Sequence, residues 1–162
     1  MSWRETLQGQ AYTFYGRQTL SHTARAQGRG TMTCWAFSFG AILNTTWSSM
    51  ALFTPLDQLF QGQGNKGTYE MVEAINRDGS HGRIRMLARW FGTDWSTSQI
   101  EQNFPQATFI TGHVVVALAI GQPDDPTQPV AVRYWDPADA QIHTVTLTQF
   151  MAFGPTEGFV KA

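Results

Sequence analysis

Hydrophobic and polar positions change their period along the chain. In the first half, Trp35, Phe39, Ile42 and Leu43 fall at i, i+4, i+7 and i+8, the spacing that lines one face of a helix. That spacing predicts a helix over 33–46, with Thr31 or Thr33 able to cap its first turn through a hydroxyl oxygen. Pro55 suits the first position of a short second helix over 55–60. A third helix is predicted over 68–77, opened by Thr68, stopped by Asp78 and Gly79, and burying Met71, Ala74 and Ile75. Ser96 followed three residues later by Gln99 marks the capped start of a brief fourth helix.

After Pro105 the pattern shortens and becomes β-branched. Residues 107–110, 114–120 and 130–135 are apolar runs of strand length, and 142–147 alternates as a half-buried strand does. The loop over 121–129, with Gly121, Pro123, Asp124, Asp125, Pro126 and Pro129, is a connection between neighbouring strands, which makes them antiparallel. Residues 1–30 are polar, carry aromatics at Trp3, Tyr12, Phe14 and Tyr15, and end in a Gly-rich approach; they read as an irregular arm wrapped over the core. Helices first and strands afterwards imply a single α+β domain over 1–162, with N-terminal helices packed on a C-terminal antiparallel β-sheet.

Composition narrows the chemistry. A formal net charge of -1 gives no electrostatic case for nucleic acid or an anionic membrane as partner. Charged residues make up only 14% of the chain, which argues against a charged interaction tail. One cysteine, Cys34, excludes an intrachain disulfide and any cysteine-rich zinc site. His22, His81, His113 and His143 show no metal-ligand spacing, so no metal and no cofactor are expected. The first residues have no apolar signal core, and no run reaches transmembrane length, so a soluble protein without a signal peptide is expected.

The lone cysteine then becomes the centre of interest. At the N-terminus of the first helix, free N–H groups and the positive end of the macrodipole favour a thiolate. A thiol nucleophile needs a base, and the base needs a group that fixes its orientation. His113 stands at the entry to the apolar run Val114 to Ile120, and Asp136 closes the next strand, so one hairpin would bring them together. The other histidines fit less well: His22 lies in the polar arm, His81 in a Gly-flanked turn, and His143 in an alternating strand beyond Asp136. Arg83, Arg85 and Arg89 form a small basic cluster that reads as a solvated face.

Cys34-Trp35-Ala36-Phe37-Ser38 resembles the sequence at the catalytic cysteine of papain-like cysteine peptidases. Gly112-His113-Val114-Val115-Val116 and Tyr134-Trp135-Asp136-Pro137 resemble the His and Asp segments of compact bacterial branches of that family, the C39-like peptidases and the AvrRpt2-type effectors. The resemblance spans residues 27 to 137 and implies a papain-like fold with a cleft between helices and sheet. It implies Cys34 as nucleophile, His113 as general base and then acid, and Asp136 as the orienter of His113. It also implies a glutamine upstream of the cysteine in an oxyanion hole, for which Gln27 is the candidate, one residue further away than the usual spacing. The expected function is a cysteine peptidase that hydrolyses an amide bond of a protein or peptide substrate through an acyl-enzyme. A secreted bacterial effector or toxin, with a cognate immunity or chaperone protein as partner, is the biological setting the resemblance implies. An amidase, deamidase or transglutaminase uses the same three groups, and a non-catalytic binding module of the same type is the remaining alternative.

Overall fold

Seven consecutive residues, Val114 to Ile120, are almost wholly removed from solvent, and the rest of the molecule is arranged around the strand that carries them. An unbroken apolar run of this kind requires cover on both faces of a sheet. The computed structural model describes residues 1–20, 34–45, 65–87 and 95–162. Within them lie strands β1 (Ser2–Leu7), β2 (Gln10–Gly16), β3 (Ile84–Leu87), β4 (Gln106–Ile110), β5 (His113–Pro123), β6 (Ala131–Asp136), β7 (Gln141–Thr146) and β8 (Glu157–Lys161). The described helices are α1 (Cys34–Leu43), α2 (Asn65–Asp78), α3 (Thr97–Gln102) and α4 (Leu147–Ala152).

All eight strands form one antiparallel sheet. Its path runs β1-β2-β5-β4-β8-β3, with β6 on β5 and β7 on β6. β5 is long enough to serve three neighbours: residues 113–117 pair with β4, residues 119–123 pair with β2, and β6 pairs along 116–121. Gly16 stands where β2 meets β5, at φ +129, and a Cβ there would collide with the carbonyl oxygen of Leu118. Only glycine fits such a close backbone approach.

The two faces of the sheet carry separate cores. On one, Trp35, Phe39 and Leu43 of α1 and Ile75 of α2 pack with Val114, Val116, Leu118, Trp135 and Phe159. On the other, Ile100 of α3 and Phe150 of α4 pack with Val115, Ala117, Ile120, Val132 and Tyr134. The side-chain alternation of β5 therefore feeds both cores at once.

This architecture corrects the expected α+β, papain-like arrangement of N-terminal helices on a C-terminal sheet. The protein is mainly antiparallel β, its sheet begins at residue 2, and both halves of the chain contribute strands, while the described helices are short. The irregular arm is the largest departure. Residues 2–16 form a hairpin in register from Ser2↔Tyr15 to Leu7↔Gln10, turned by Gln8 and Gly9, both with positive φ. Arg4 on this hairpin forms a forked pair with Asp124, and Glu5 pairs with Arg133 of β6. β3, β8 and α4 were also not expected from the pattern.

Other expectations hold locally. α1 lies within the predicted 33–46, and its four spaced apolar residues are all buried. α2 covers the predicted 68–77 and begins three residues earlier; Gly79, at φ +70, follows its end, and its N–H donates to the Ile75 carbonyl. Ile75 is fully buried, while Ala74 is only half-buried. α3 opens with the expected Ser96–Gln99 capping box. The predicted helix over 55–60, the caps Thr31 and Thr33, and Arg89 lie outside the described residues. Among the described residues, no helix is long and apolar enough to cross a membrane.

Candidate active site

Three local devices bring Cys34, His113 and Asp136 together. The first is the anchoring of α1. Ser38 is completely buried, and its Oγ donates to the carbonyl of Val114 at 3.2 Å, which ties the cysteine helix to the strand residue next to His113. Trp35 and Phe39 are fully buried on either side of this tie. Cys34 is the first residue of the helix and is partly exposed. Its N–H belongs to the first turn, where backbone donors have no intrahelical acceptor.

The second device is a tight hairpin. Ile110 pairs with His113, so Thr111 and Gly112 alone turn the chain from β4 into β5, with Gly112 at φ +70. The N–H of Thr111 donates to the Phe153 carbonyl at 2.9 Å and holds this turn in place. His113 is consequently fixed at the mouth of the sheet.

The third device is the β6–β7 turn. Asp136 pairs with Gln141, and the N–H of Ala140 donates to the Asp136 carbonyl at 2.8 Å. Within the turn, the Ala138 N–H donates to Asp136 Oδ1 at 2.9 Å, an arrangement that Pro137 pre-sets through its fixed φ. The Asp-Pro pair is thus a turn signal and the aiming device for a carboxylate.

Asp136 Oδ1 also lies 2.6 Å from His113 Nε2. Both side chains are about one-fifth exposed, 22% for His113 and 21% for Asp136. Cys34 lies close enough to the His113 ring to raise its pKa. Since Nε2 is engaged by Asp136, Nδ1 is the nitrogen left for the sulfur. Burial pulls His113 toward the neutral form, but the hydrogen bonds to Asp136 and Cys34 and the charges of both outweigh it, and its pKa rises from 6.5 to about 9. Asp136 shows the opposite balance: burial favours its neutral form, yet hydrogen bonds from His113 and Ala138 lower its pKa. Both shifts favour an imidazolium–carboxylate pair.

The sequence ranked His143, with His22 and His81, behind His113, and it gave Asp139 no place in the site. Both lie beside the site. His143 Nε2 is 2.7 Å from Asp139 Oδ2, and one polar atom from each of Asp136, Asp139 and His143 lies within 4.8 Å of the others. These atoms are committed to one another and to the backbone, since Asp139 Oδ1 accepts the N–H of Gln141 at 2.9 Å. The signal was present in the hairpin register. Once Asp136 faces Gln141, His143 must face Tyr134, and its ring stacks on the Tyr134 ring at 5.2 Å.

The remaining expectations separate cleanly. Gln27 and His22 lie outside the described residues. His81 sits in the turn after α2, beside Asp78. Asp124 is taken up by Arg4 on the exposed side of the hairpin. Arg85, in β3, donates to Asn103 Oδ1 at 3.3 Å.

The fold and site define an antiparallel β protein in which a histidine is hydrogen-bonded to an aspartate beside a cysteine at a helix start. No family model matches the chain, and no curated protein matches it.

Proposed function

We propose that this protein is a cysteine hydrolase that cleaves an amide bond of a protein or peptide through an acyl-enzyme. One arrangement carries the reading: Asp136 holds His113 through Nε2 at 2.6 Å, and Cys34 lies near enough to the same ring to raise its pKa. A base fixed by a carboxylate and touching a thiol is the arrangement a nucleophilic sulfur needs. The likeness of the segments around Cys34, His113 and Asp136 to those of papain-like cysteine peptidases supports the chemistry, independently of the fold.

In the proposed cycle the thiolate of Cys34 attacks the carbonyl carbon, and the C=O electron pair moves onto oxygen. The Cys34 N–H, at the free start of α1, donates to that oxyanion. The C–N bond then breaks, and the proton on His113 Nδ1 goes to the leaving amine. A thioester remains. Water attacks it, giving its proton to His113, and the acid departs as the sulfur is regenerated with imidazolium beside it. Asp136 keeps Nε2 protonated throughout, which leaves Nδ1 free to cycle.

The test is turnover of a peptide library followed by mass spectrometry. Wild-type protein is expected to yield new termini, with Cys34→Ala and His113→Ala each reducing the rate by at least about 10³-fold, as the two groups work as a unit. Products 1 Da heavier at glutamine side chains, without new termini, would instead mark the same site as a deamidase. Substantial cleavage by either variant would contradict the assignment.

A further inference from the structure

We propose that Asp139 and His143 form an outer pair that positions Asp136 and, through it, His113, so that the charge on His143 gates the Cys34–His113 pair. The proposal deepens the hydrolase reading and rests on it. Its basis is a continuous run of contacts: His113 Nε2 to Asp136 Oδ1 at 2.6 Å, the Asp136, Asp139 and His143 polar atoms within 4.8 Å of one another, and Asp139 Oδ2 to His143 Nε2 at 2.7 Å. Backbone N–H groups hold both carboxylates, and a ring holds His143. Ala138 donates to Asp136, Gln141 donates to Asp139, and the stacked Tyr134 ring fixes the plane of His143.

The electrostatic consequence has a definite sign. Two carboxylates so close repel, and the pair is compensated at its inner end by His113 and at its outer end by His143. When His143 carries a proton, its charge offsets Asp139 and draws negative potential away from His113. When it loses that proton, Asp139 adds to Asp136, and the imidazolium on His113 is held more firmly. His143 also favours the charged form of Asp136. Among the described residues, β5 supplies His113, α1 supplies Cys34, β6 supplies Asp136 and the Tyr134 phenol, the turn supplies Asp139, and β7 supplies His143. Phe150 of α4 packs on Tyr134, and α4 has no titratable side chain.

Asp139 and His143 are positioning residues, since neither touches the reacting atoms. A structural role alone would leave the titration of His113 unmoved, so the experiment reads that titration directly. In the full-length protein, histidine ring resonances are followed by NMR against pH, and the His113 signal is assigned by its loss in His113→Gln. Asp139→Asn is expected to lower the His113 midpoint by about half a pH unit, the size set by one half-exposed charge some two hydrogen bonds away. His143→Gln, which removes the group that offsets Asp139, is expected to change the shape of the His113 curve. It is also expected to extend the acid limb of kcat/KM to lower pH, because glutamine mimics the uncharged ring. If neither variant alters the His113 curve while Asp136→Asn lowers its midpoint, the outer pair is overturned and the inner site stands. A His113 curve unchanged in all three variants overturns both.

Discussion

One oxygen of Asp136 accepts from both the His113 ring and the Ala138 N–H, and the proposed chemistry depends on it. Asp136→Asn keeps a side-chain acceptor but removes the charge. The pH at which His113 loses its proton should fall from about 9, and with it the alkaline limb of kcat/KM, while the rate at neutral pH drops less than in Cys34→Ala or His113→Ala. A pH–rate profile of the variant checks this. The same shifts make a stability prediction. His113 has a raised pKa, so its contribution is full below its unfolded value of 6.5 and is lost as pH rises through about 9. Asp136 has a lowered pKa, so its contribution is present above 3.8 and is lost as pH falls through its lower folded value. Denaturant titrations should therefore show the gap between wild type and His113→Ala widest near about pH 5–6 and smaller beyond about pH 9.

Glu157 is the counterexample at the same scale. It is 9% exposed, its Oε2 is buried without a hydrogen-bond partner among the described residues, and burial raises its pKa. An acid with a raised pKa costs nothing while it is protonated in both states and weakens the fold once pH exceeds 4.5. Glu157→Gln should raise Tm by about 2–4 °C at pH 8, the value of roughly 1 kcal/mol in a chain of this size, and by less at pH 4.5.

At the scale of elements, legibility followed the strength of local signals. α1 could be read because its apolar residues are large and its spacing regular, and α3 because Ser96 and Gln99 cap each other. β5 could be read because both its faces are buried and its sequence is nearly all apolar. The β1–β2 hairpin could not, since its inward positions include the polar Glu5 and Gln10, and its turn uses Gln8 at positive φ where asparagine or aspartate would have announced it. α4 follows β7 without a break: Thr146 both ends the strand and caps the helix with Gln149, so strand alternation concealed a helix start. Of the site, His113 and Asp136 were legible as the ends of two strands joined by one loop. Asp139 and His143 were not, because their place depends on the pairing across the β6–β7 turn. That turn places Ala140 at φ +56, a conformation that costs a residue with a Cβ about 1 kcal/mol. Ala140→Gly should leave the hairpin in register and hold or raise Tm, measured by calorimetry alongside an unchanged His113 titration.

For the whole molecule, the central strand sets both the stability and the site. The expected division into a helical half and a sheet half failed because the sheet recruits the first residues of the chain and the last onto opposite sides of β5 and β4. Long-range pairing of this kind leaves no trace in local periodicity. It also means that damage far from the site should reach it. Gly16→Ala would force β2 off β5 at Leu118, and the loss is expected to exceed 2 kcal/mol, about that of a core defect, with slower turnover as a consequence. Chemical denaturation of the variant reads the first effect directly.

The most direct test of the central claim is the rate at which Cys34 is captured by an epoxide-type thiol trap, followed by intact-protein mass spectrometry. The wild-type protein should take up one adduct, located to Cys34, and His113→Ala should slow its formation by about 10²-fold or more, the usual worth of a positioned base. Equal rates in the two proteins, matching that of free cysteine at the same pH, would contradict the account.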